Sequence, residues 1–154
     1  MTPLFKKLNL GDHREIVVVD APASFDSELA TLDGVKIFRN PKKRSSISFA
    51  IFFVQTLSSV AAAAAALKAA AGDPVVWFAY PKASSKNYRC EFNRDNGWEA
   101  VGAAGFEGVR QVAIDADWSA LRFRRVEEIK TLKRDPERCL TSEGKTRSAI
   151  KGRS

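Results

Sequence analysis

Histidine, cysteine and glycine-rich segments are scarce in this chain, and each scarcity excludes a class of chemistry. The 154 residues include one histidine, His13, and two cysteines, Cys90 and Cys139. One histidine cannot supply a histidine-rich metal cluster, and two cysteines are too few for a disulfide framework. No serine or cysteine is marked as a nucleophile partnered by His13. The sequence therefore predicts no catalytic residue, no metal site and no cofactor.

The charge of +7 is distributed unevenly along a chain of single-domain length. Residues 122–154 contain eleven Lys and Arg against five Asp and Glu, whereas residues 1–121 contain fourteen against thirteen. We therefore expect one α/β domain over residues 1–130 and a basic, flexible tail over residues 131–154. Such a tail attracts polyanions, so a nucleic-acid accessory module acting through the tail is one alternative function.

The first residues predict a short helix, which Thr2 caps, Pro3 begins and Gly11 ends. They lack the charged and then apolar pattern of a secretory signal. A cytoplasmic protein is therefore expected.

Apolar runs that end in turn residues predict five strands. The first run, Ile16 to Val19, is β-branched and ends at Asp20, as expected for a strand buried on both faces. Similar runs predict further strands over residues 35–38, 75–79, 109–114 and 120–126. The last two must be antiparallel because their connection is so short.

Helices are predicted between these strands. Ser24 can cap a helix after the first strand, and Asn96 and Glu99 have the spacing of a capping box for a later one. The longest helix is predicted over residues 48–71, where apolar residues recur at three- and four-residue steps. Polar residues in its middle and a run of alanines argue against a membrane span, so a packed crossover helix and no membrane contact are expected.

The order of these elements predicts an α/β fold with an open, mostly parallel five-stranded sheet, helices on both faces and a C-terminal antiparallel strand pair. The residues expected in its core are Val17, Val19, Ile37, Val76, Phe78, Val112 and Ile114.

The antiparallel ending resembles part of the Rossmann-like fold of the S-adenosylmethionine-dependent methyltransferases. Their glycine-rich cofactor loop after the first strand is replaced here by Asp20-Ala21-Pro22. The resemblance therefore implies the topology without the cofactor, and a degenerate methyltransferase-like enzyme is a second alternative function.

A second resemblance rests on short motifs. The chain has a Leu-x-Leu-Gly start, Leu8 to Gly11, which is similar to the Leu-x-Leu-x-x-Gly start of the family, and its first strand ends in Ala-Pro. The patterns Trp-x-x-Tyr-Pro-Lys, within residues 77–85, and Trp-Ser-x-Leu-Arg-Phe, over residues 118–123, are the most specific. Together they resemble a family of small bacterial proteins that carry a domain of unknown function, over about residues 4–126. The resemblance implies kinship and no activity.

Polar side chains follow three of the predicted strands at their carboxyl ends, where open parallel sheets bind ligands. The predicted ligand-binding residues are Asp20, Arg39, Tyr80, Lys82, Ser84, Ser85 and Lys86. Cations and hydroxyls together suit a phosphate or a carboxylate, although the loop could also be a solvated turn. We therefore expect non-catalytic binding of an anionic small molecule, or of a protein partner, at this edge.

The last hairpin leaves two interpretations open. Asp115, Asp117, Arg122 and Arg124 could form a catalytic acid and electrostatic cluster, or cross-strand ion pairs. Trp118 could stack on a ligand ring or belong to the core.

Overall fold

The computed structural model describes residues 3–41, 47–67, 70, 72–93 and 95–126. The elements in chain order are α1 (Pro3–Lys7), β1 (Glu15–Val19), α2 (Asp26–Leu29), β2 (Lys36–Phe38), β3 (Phe49–Phe53), α3 (Leu57–Ala66), β4 (Val75–Pro81), α4 (Glu99–Ala103), β5 (Phe106–Ala113) and β6 (Trp118–Arg125). A short 3-10 turn, Ala23–Phe25, precedes α2. The predicted tail over residues 131–154 lies outside the described residues.

These six strands form one mixed sheet in the order β2-β1-β3-β4-β6-β5. Strands β1 to β4 are parallel, and β6 is antiparallel to both β4 and β5. The chain leaves β1 in one direction toward β2 and continues on the other side through β3, so the strand order reverses beside β1. The predicted α/β class, with a mostly parallel sheet and a C-terminal antiparallel pair, is confirmed, but with six strands instead of five.

The additional strand is β3, and the prediction of one helix over residues 48–71 is wrong. All five residues of Phe49–Phe53 are buried and pair with β4. A strand buried on both faces is apolar at every position. Its residues therefore also match the three- and four-residue spacing of apolar residues in the helix that follows. That helix begins at Leu57, after a capping box in which Thr56 and Ser59 exchange side-chain and backbone hydrogen bonds. Among the described helices, none has the length and hydropathy needed to cross a membrane.

The sheet separates two apolar cores. Helices α3 and α4 cover one face through Val60 and Val101, and helices α1 and α2 cover the other through Phe5 and Leu29. The predicted core residues that are buried are Val17, Val76, Phe78 and Val112. Those that are only partly buried are Val19, Ile37 and Ile114. The two apolar cores therefore lie on opposite faces of one sheet, and helices cover both faces as predicted.

Helix α4 begins differently from the prediction. Its N-cap is Trp98, which makes no capping hydrogen bond, so the predicted capping box of Asn96 and Glu99 is wrong. The Asn96 side chain instead accepts a hydrogen bond of 3.1 Å from the backbone N–H of Asn93 and closes a tight turn. Gly105 follows the helix with φ of 90°, which is the left-handed conformation expected of a helix stop.

Candidate ligand-binding cavity

A cavity of about 610 Å³ lies beside the carboxyl end of β4. Three neighbouring strands form its floor, through Tyr80 of β4, Ser119 of β6 and Gln111 of β5. Tyr80 and Ser119 are directly opposite each other in the sheet register. The loop after β4 forms the wall. The other lining residues are Pro81, Lys82, Ala83, Ser85, Tyr88, Arg89, Cys90, Phe92 and Asn93.

The polar groups of the floor are fixed in position. Gln111 Nε2 donates a hydrogen bond of 3.0 Å to the Tyr80 hydroxyl across the intervening strand β6. The Tyr80 ring is buried, and its centroid lies 5.6 Å from that of Trp98 and 6.3 Å from that of Phe92. A rigid aromatic floor with a few oriented polar groups is typical of small-molecule sites.

The wall is joined to the β5–β6 turn by Asp117. The Ser85 hydroxyl donates to Asp117 Oδ1 at 2.8 Å, and the Asn87 side-chain amide donates to Oδ2 at 3.2 Å. The Lys82 N–H donates to the Asp117 backbone carbonyl at 2.7 Å. The Ser85 hydroxyl also accepts from the N–H groups of Asn87 and Tyr88, so its proton and both lone pairs are engaged inside the loop.

The charged side chains among the described lining residues, Lys82 and Arg89, are both cations. No carboxylate is among the described residues that line the cavity, and the nearby Glu91 accepts a hydrogen bond of 2.8 Å from the Leu57 N–H at the start of α3. A carboxylate is favoured there by the partial positive charge of a helix N-terminus. Lys82 and Arg89, by contrast, line the cavity and form no ion pair with any described residue.

Cys90 adds a neutral thiol to the wall. Burial raises the pKa of this thiol above its ordinary value, and the charge of Glu91 acts in the same direction, while a backbone hydrogen bond with Phe92 opposes both. The thiol is therefore protonated at neutral pH and a poor nucleophile. The described residues contain no group of three or more His, Cys, Asp or Glu side chains arranged to hold a metal ion.

Three of the predicted ligand residues, Tyr80, Lys82 and Ser85, line this cavity. Ser84 and Lys86 belong to the same loop but are exposed and are not among the lining residues. The predicted loop therefore borders a cavity, and ligand binding by its residues stays a prediction.

The other two predicted residues lie elsewhere along the same edge. Asp20 follows β1 and has φ of 58°, a left-handed conformation that a non-glycine residue seldom adopts. Arg39 follows β2 and lies 3.8 Å from the carboxylate of Asp26, in an exposed ion pair. Neither lines the cavity beside β4, and a ligand contact for either residue stays a prediction.

The hairpin residues act locally. Asp115 Oδ1 accepts from the N–H groups of Asp117 and Trp118 at 2.8 Å and so closes the turn. Trp118 is buried and packs edge-on against Phe53 at a centroid distance of 5.2 Å. Arg124 forms a hydrogen-bonded ion pair with Asp73, which lies before β4 and outside the hairpin.

Comparison with known proteins shows the fold alone. No family model matches this chain, and no curated protein matches it either. A Sulfolobus solfataricus protein provisionally described as a type 11 methyltransferase is 13% identical, with a TM-score of 0.46 over 79% of this chain and 87% of that one. The pyocyanin biosynthetic protein PhzM is 14% identical, with a TM-score of 0.50 over 76% of this chain and 52% of PhzM.

The similarity to PhzM agrees with a Rossmann-like α/β fold. At such low identity the likeness carries no activity. The bacterial kinship predicted from the two tryptophan motifs stays a prediction.

Proposed function

We propose that this protein binds a small anionic molecule in the cavity beside β4 and does not transform it. The observation that carries the proposal concerns the described residues of the lining: Lys82 and Arg89 form no ion pair among them, and none of them is a carboxylate. A carboxylate or phosphate would gain charge-assisted hydrogen bonds from both. Two acidic residues next to the lining, Asp117 and Glu91, already accept hydrogen bonds from other parts of the chain.

The shape and lining of the cavity favour a small molecule over an acidic side chain of a protein partner. Its volume of about 610 Å³ lies within the usual range of small-molecule sites. Tyr80, Tyr88 and Phe92 offer aromatic surface, and Gln111 and Ser119 offer polar groups at the floor. These features suit a ligand with an anionic group on a ring or another apolar body.

A thermal-shift screen tests this proposal. The panel contains nucleotides, sugar phosphates, aromatic carboxylic acids, other acidic metabolites and S-adenosylmethionine. A compound at about one hundred times its dissociation constant adds about 2.7 kcal/mol to the free energy of unfolding. For an anionic hit, Lys82→Ala should weaken binding at least about tenfold, since a hydrogen bond to a charged group contributes about 1.5 to 3 kcal/mol.

Lys36→Ala is the matched control, because this exposed lysine lies on β2, at the far edge of the sheet. It makes the same change in net charge. Equal weakening by both variants would contradict a site at Lys82, as would a panel without any anionic hit.

The structural neighbours favour one second candidate, a degenerate methyltransferase-like enzyme. Against it, the loop that follows β1 begins with the side-chain-bearing residues Asp20 and Ala21 and then Pro22, whereas a glycine-rich loop lets backbone amides approach a cofactor. We expect no binding of S-adenosylmethionine in calorimetry. A micromolar dissociation constant would make the enzyme the better proposal.

The remaining parts of the proposal rest on the sequence. They are membership of the small bacterial family, a cytoplasmic location, and a basic tail over residues 131–154 that is dispensable for binding in the cavity. Deletion of the tail should leave the affinity for an anionic hit unchanged. Loss of a nucleic acid complex on the same deletion would instead support the accessory-module alternative.

A further inference from the structure

Three arginines lie side by side on the face of the sheet that carries α1, opposite the face of the cavity. Arg110 of β5 is directly opposite Arg122 of β6 in the register, and Arg124 is the next residue of β6 on the same face. Trp77, in the core of this face, is the β4 neighbour of Arg122. Like charges directly opposite each other destabilise a strand pair, so the fold gains nothing from this arrangement by itself.

The two outer arginines are held by neighbouring groups. Arg110 Nη2 donates a hydrogen bond of 2.9 Å to the Lys7 carbonyl, and its guanidinium carbon lies 5.9 Å from the centroid of the Trp77 ring. Arg124 forms a two-pronged ion pair with the carboxylate of Asp73. The first contact orients Arg110 without neutralising its charge, because a carbonyl and an aromatic ring carry no net charge.

Arg122, between them, differs from both. It is half-buried, and it forms no hydrogen bond or ion pair with any residue in the described part of the chain. Its Nε atom is buried and has no acceptor among the described residues. Burial lowers the pKa of Arg122, and the charges of Arg124 and Arg110 act in the same direction, opposed by Asp73. Buried guanidinium donors are ordinarily satisfied, so this one requires an explanation.

Two carboxylates lie beside Arg124, at one end of the row. Asp73 is paired with Arg124, and the buried Glu107 is opposite Arg124 in the register. At the other end, Arg110 contacts the last turn of α1, which contains the cations Lys6 and Lys7. Of the three arginines, Arg124 therefore has carboxylates beside it, whereas Arg110 and Arg122 form no ion pair with any described residue.

We propose that Arg110 and Arg122 bind a phosphate group, which would supply the acceptors that Arg122 lacks among the described residues. Guanidinium groups match the oxygens of phosphate in planar, two-pronged hydrogen bonds, and one phosphate can accept from two neighbouring arginines. The phosphate belongs either to a small phosphorylated molecule or to a nucleic acid backbone. This site is separate from the cavity beside β4, and it does not depend on the function proposed for that cavity.

Calorimetric titration of the full chain with pyrophosphate at low ionic strength tests the proposal. Arg122→Gln and Arg110→Gln should each weaken binding at least about tenfold, since each removes charge-assisted hydrogen bonds. Arg14→Gln is the matched control, because Arg14 is exposed and precedes β1, in the opposite half of the sheet. This substitution removes the same charge. Equal weakening in all three variants would overturn the proposal, since it would show an effect of net charge alone.

A parallel titration with a short single-stranded oligonucleotide separates the two sources of phosphate. Binding of pyrophosphate that depends on Arg122 identifies a small phosphorylated ligand. Binding of the oligonucleotide alone, with the same dependence on Arg122, identifies a nucleic acid backbone. Failure of both probes to bind would overturn the proposal.

The melting temperature of Arg122→Met distinguishes a phosphate-binding role of Arg122 from a structural one. Methionine keeps the apolar stem and removes the charge that has no partner, so the melting temperature should stay the same or rise, while pyrophosphate binding is lost. A clear fall in melting temperature without pyrophosphate would show that Arg122 stabilises the fold itself, which contradicts the proposal.

Discussion

The Ser85 hydroxyl donates a hydrogen bond of 2.8 Å to Asp117 Oδ1, and this contact joins the loop after β4 to the turn between β5 and β6. Asp117→Ala removes this acceptor and also the acceptor of the Asn87 amide. We expect a loss of about 1 to 2 kcal/mol in the free energy of unfolding by urea. Hydrogen exchange of the loop amides should also become faster.

Asp12→Ala is the control for this variant, because Asp12 is exposed and lies in a different loop. The same loss of stability in both variants, with unchanged exchange in the loop, would show that the Asp117 contacts do not hold the wall of the cavity.

Trp77 and Trp118 form a matched pair that measures how much a buried hydrogen bond contributes to the free energy of unfolding. The Trp77 indole N–H donates to the Leu8 carbonyl at 2.7 Å, whereas the equally buried Trp118 Nε1 has no partner in the described residues. Trp77→Phe should therefore lower the free energy of unfolding by about 1 kcal/mol more than Trp118→Phe. Urea denaturation of both variants gives the comparison. An equal loss would mean that the bond to Leu8 contributes nothing net.

Gly97 and Gly105 form a second matched pair, since both have φ near 90°. A Cβ at Gly97 would collide with the Cβ of Phe92, which lines the cavity, whereas a Cβ at Gly105 meets nothing within 4 Å. Gly105→Ala should cost about 1 to 2 kcal/mol through the backbone alone. Gly97→Ala should cost more and should also weaken binding of an anionic hit. Similar stability and binding in both variants would be inconsistent with this packing.

Cys90 can report on the cavity through its reaction with iodoacetamide in a Cys139→Ser background. Because burial raises the pKa of the Cys90 thiol, the thiolate fraction at pH 8 is lower than in the unfolded chain, and alkylation of the folded protein should be slower. The raised pKa also contributes to the free energy of unfolding. This contribution is fully present below the ordinary thiol pKa, and it is lost as the pH rises through the pKa of Cys90 in the folded protein. A bound anion should slow alkylation further, since Cys90 lines the cavity. Equal rates in the folded and unfolded chains would contradict this environment.

Most strands could be predicted because their ends are marked by turn residues. Asp20 and Pro22 follow β1, and the hairpin of β5 and β6 is fixed by a connection too short for a crossover. Strand β3 could not be separated from α3 by periodicity, because the buried run Phe49–Phe53 is apolar at every position. The signal that could have divided them is local, namely the capping box of Thr56 and Ser59.

The floor of the cavity depends on register, which the sequence did not reveal. Ser119 faces the cavity because it pairs with Tyr80, and this pairing joins strands far apart in the chain. Gln111 faces the same side because the register of β5 shifts between Gly108 and Arg110. One extra residue in a strand reverses the faces of all residues beyond it, so simple alternation assigns Gln111 wrongly.

The anion preference of the cavity is tested most directly by a heteronuclear NMR titration of the ¹⁵N-labelled chain with benzoate and with benzamide. The two probes share a ring and nearly a shape, and they differ in charge. Benzoate should produce saturable shifts in the backbone amides of Lys82, Tyr88, Arg89, Gln111 and Ser119, and benzamide should produce much smaller ones. Lys82→Ala should abolish the difference between the two probes. Equal shifts with benzoate and benzamide in the unaltered protein, or benzoate shifts confined to other surfaces, would contradict an anion-binding cavity beside β4.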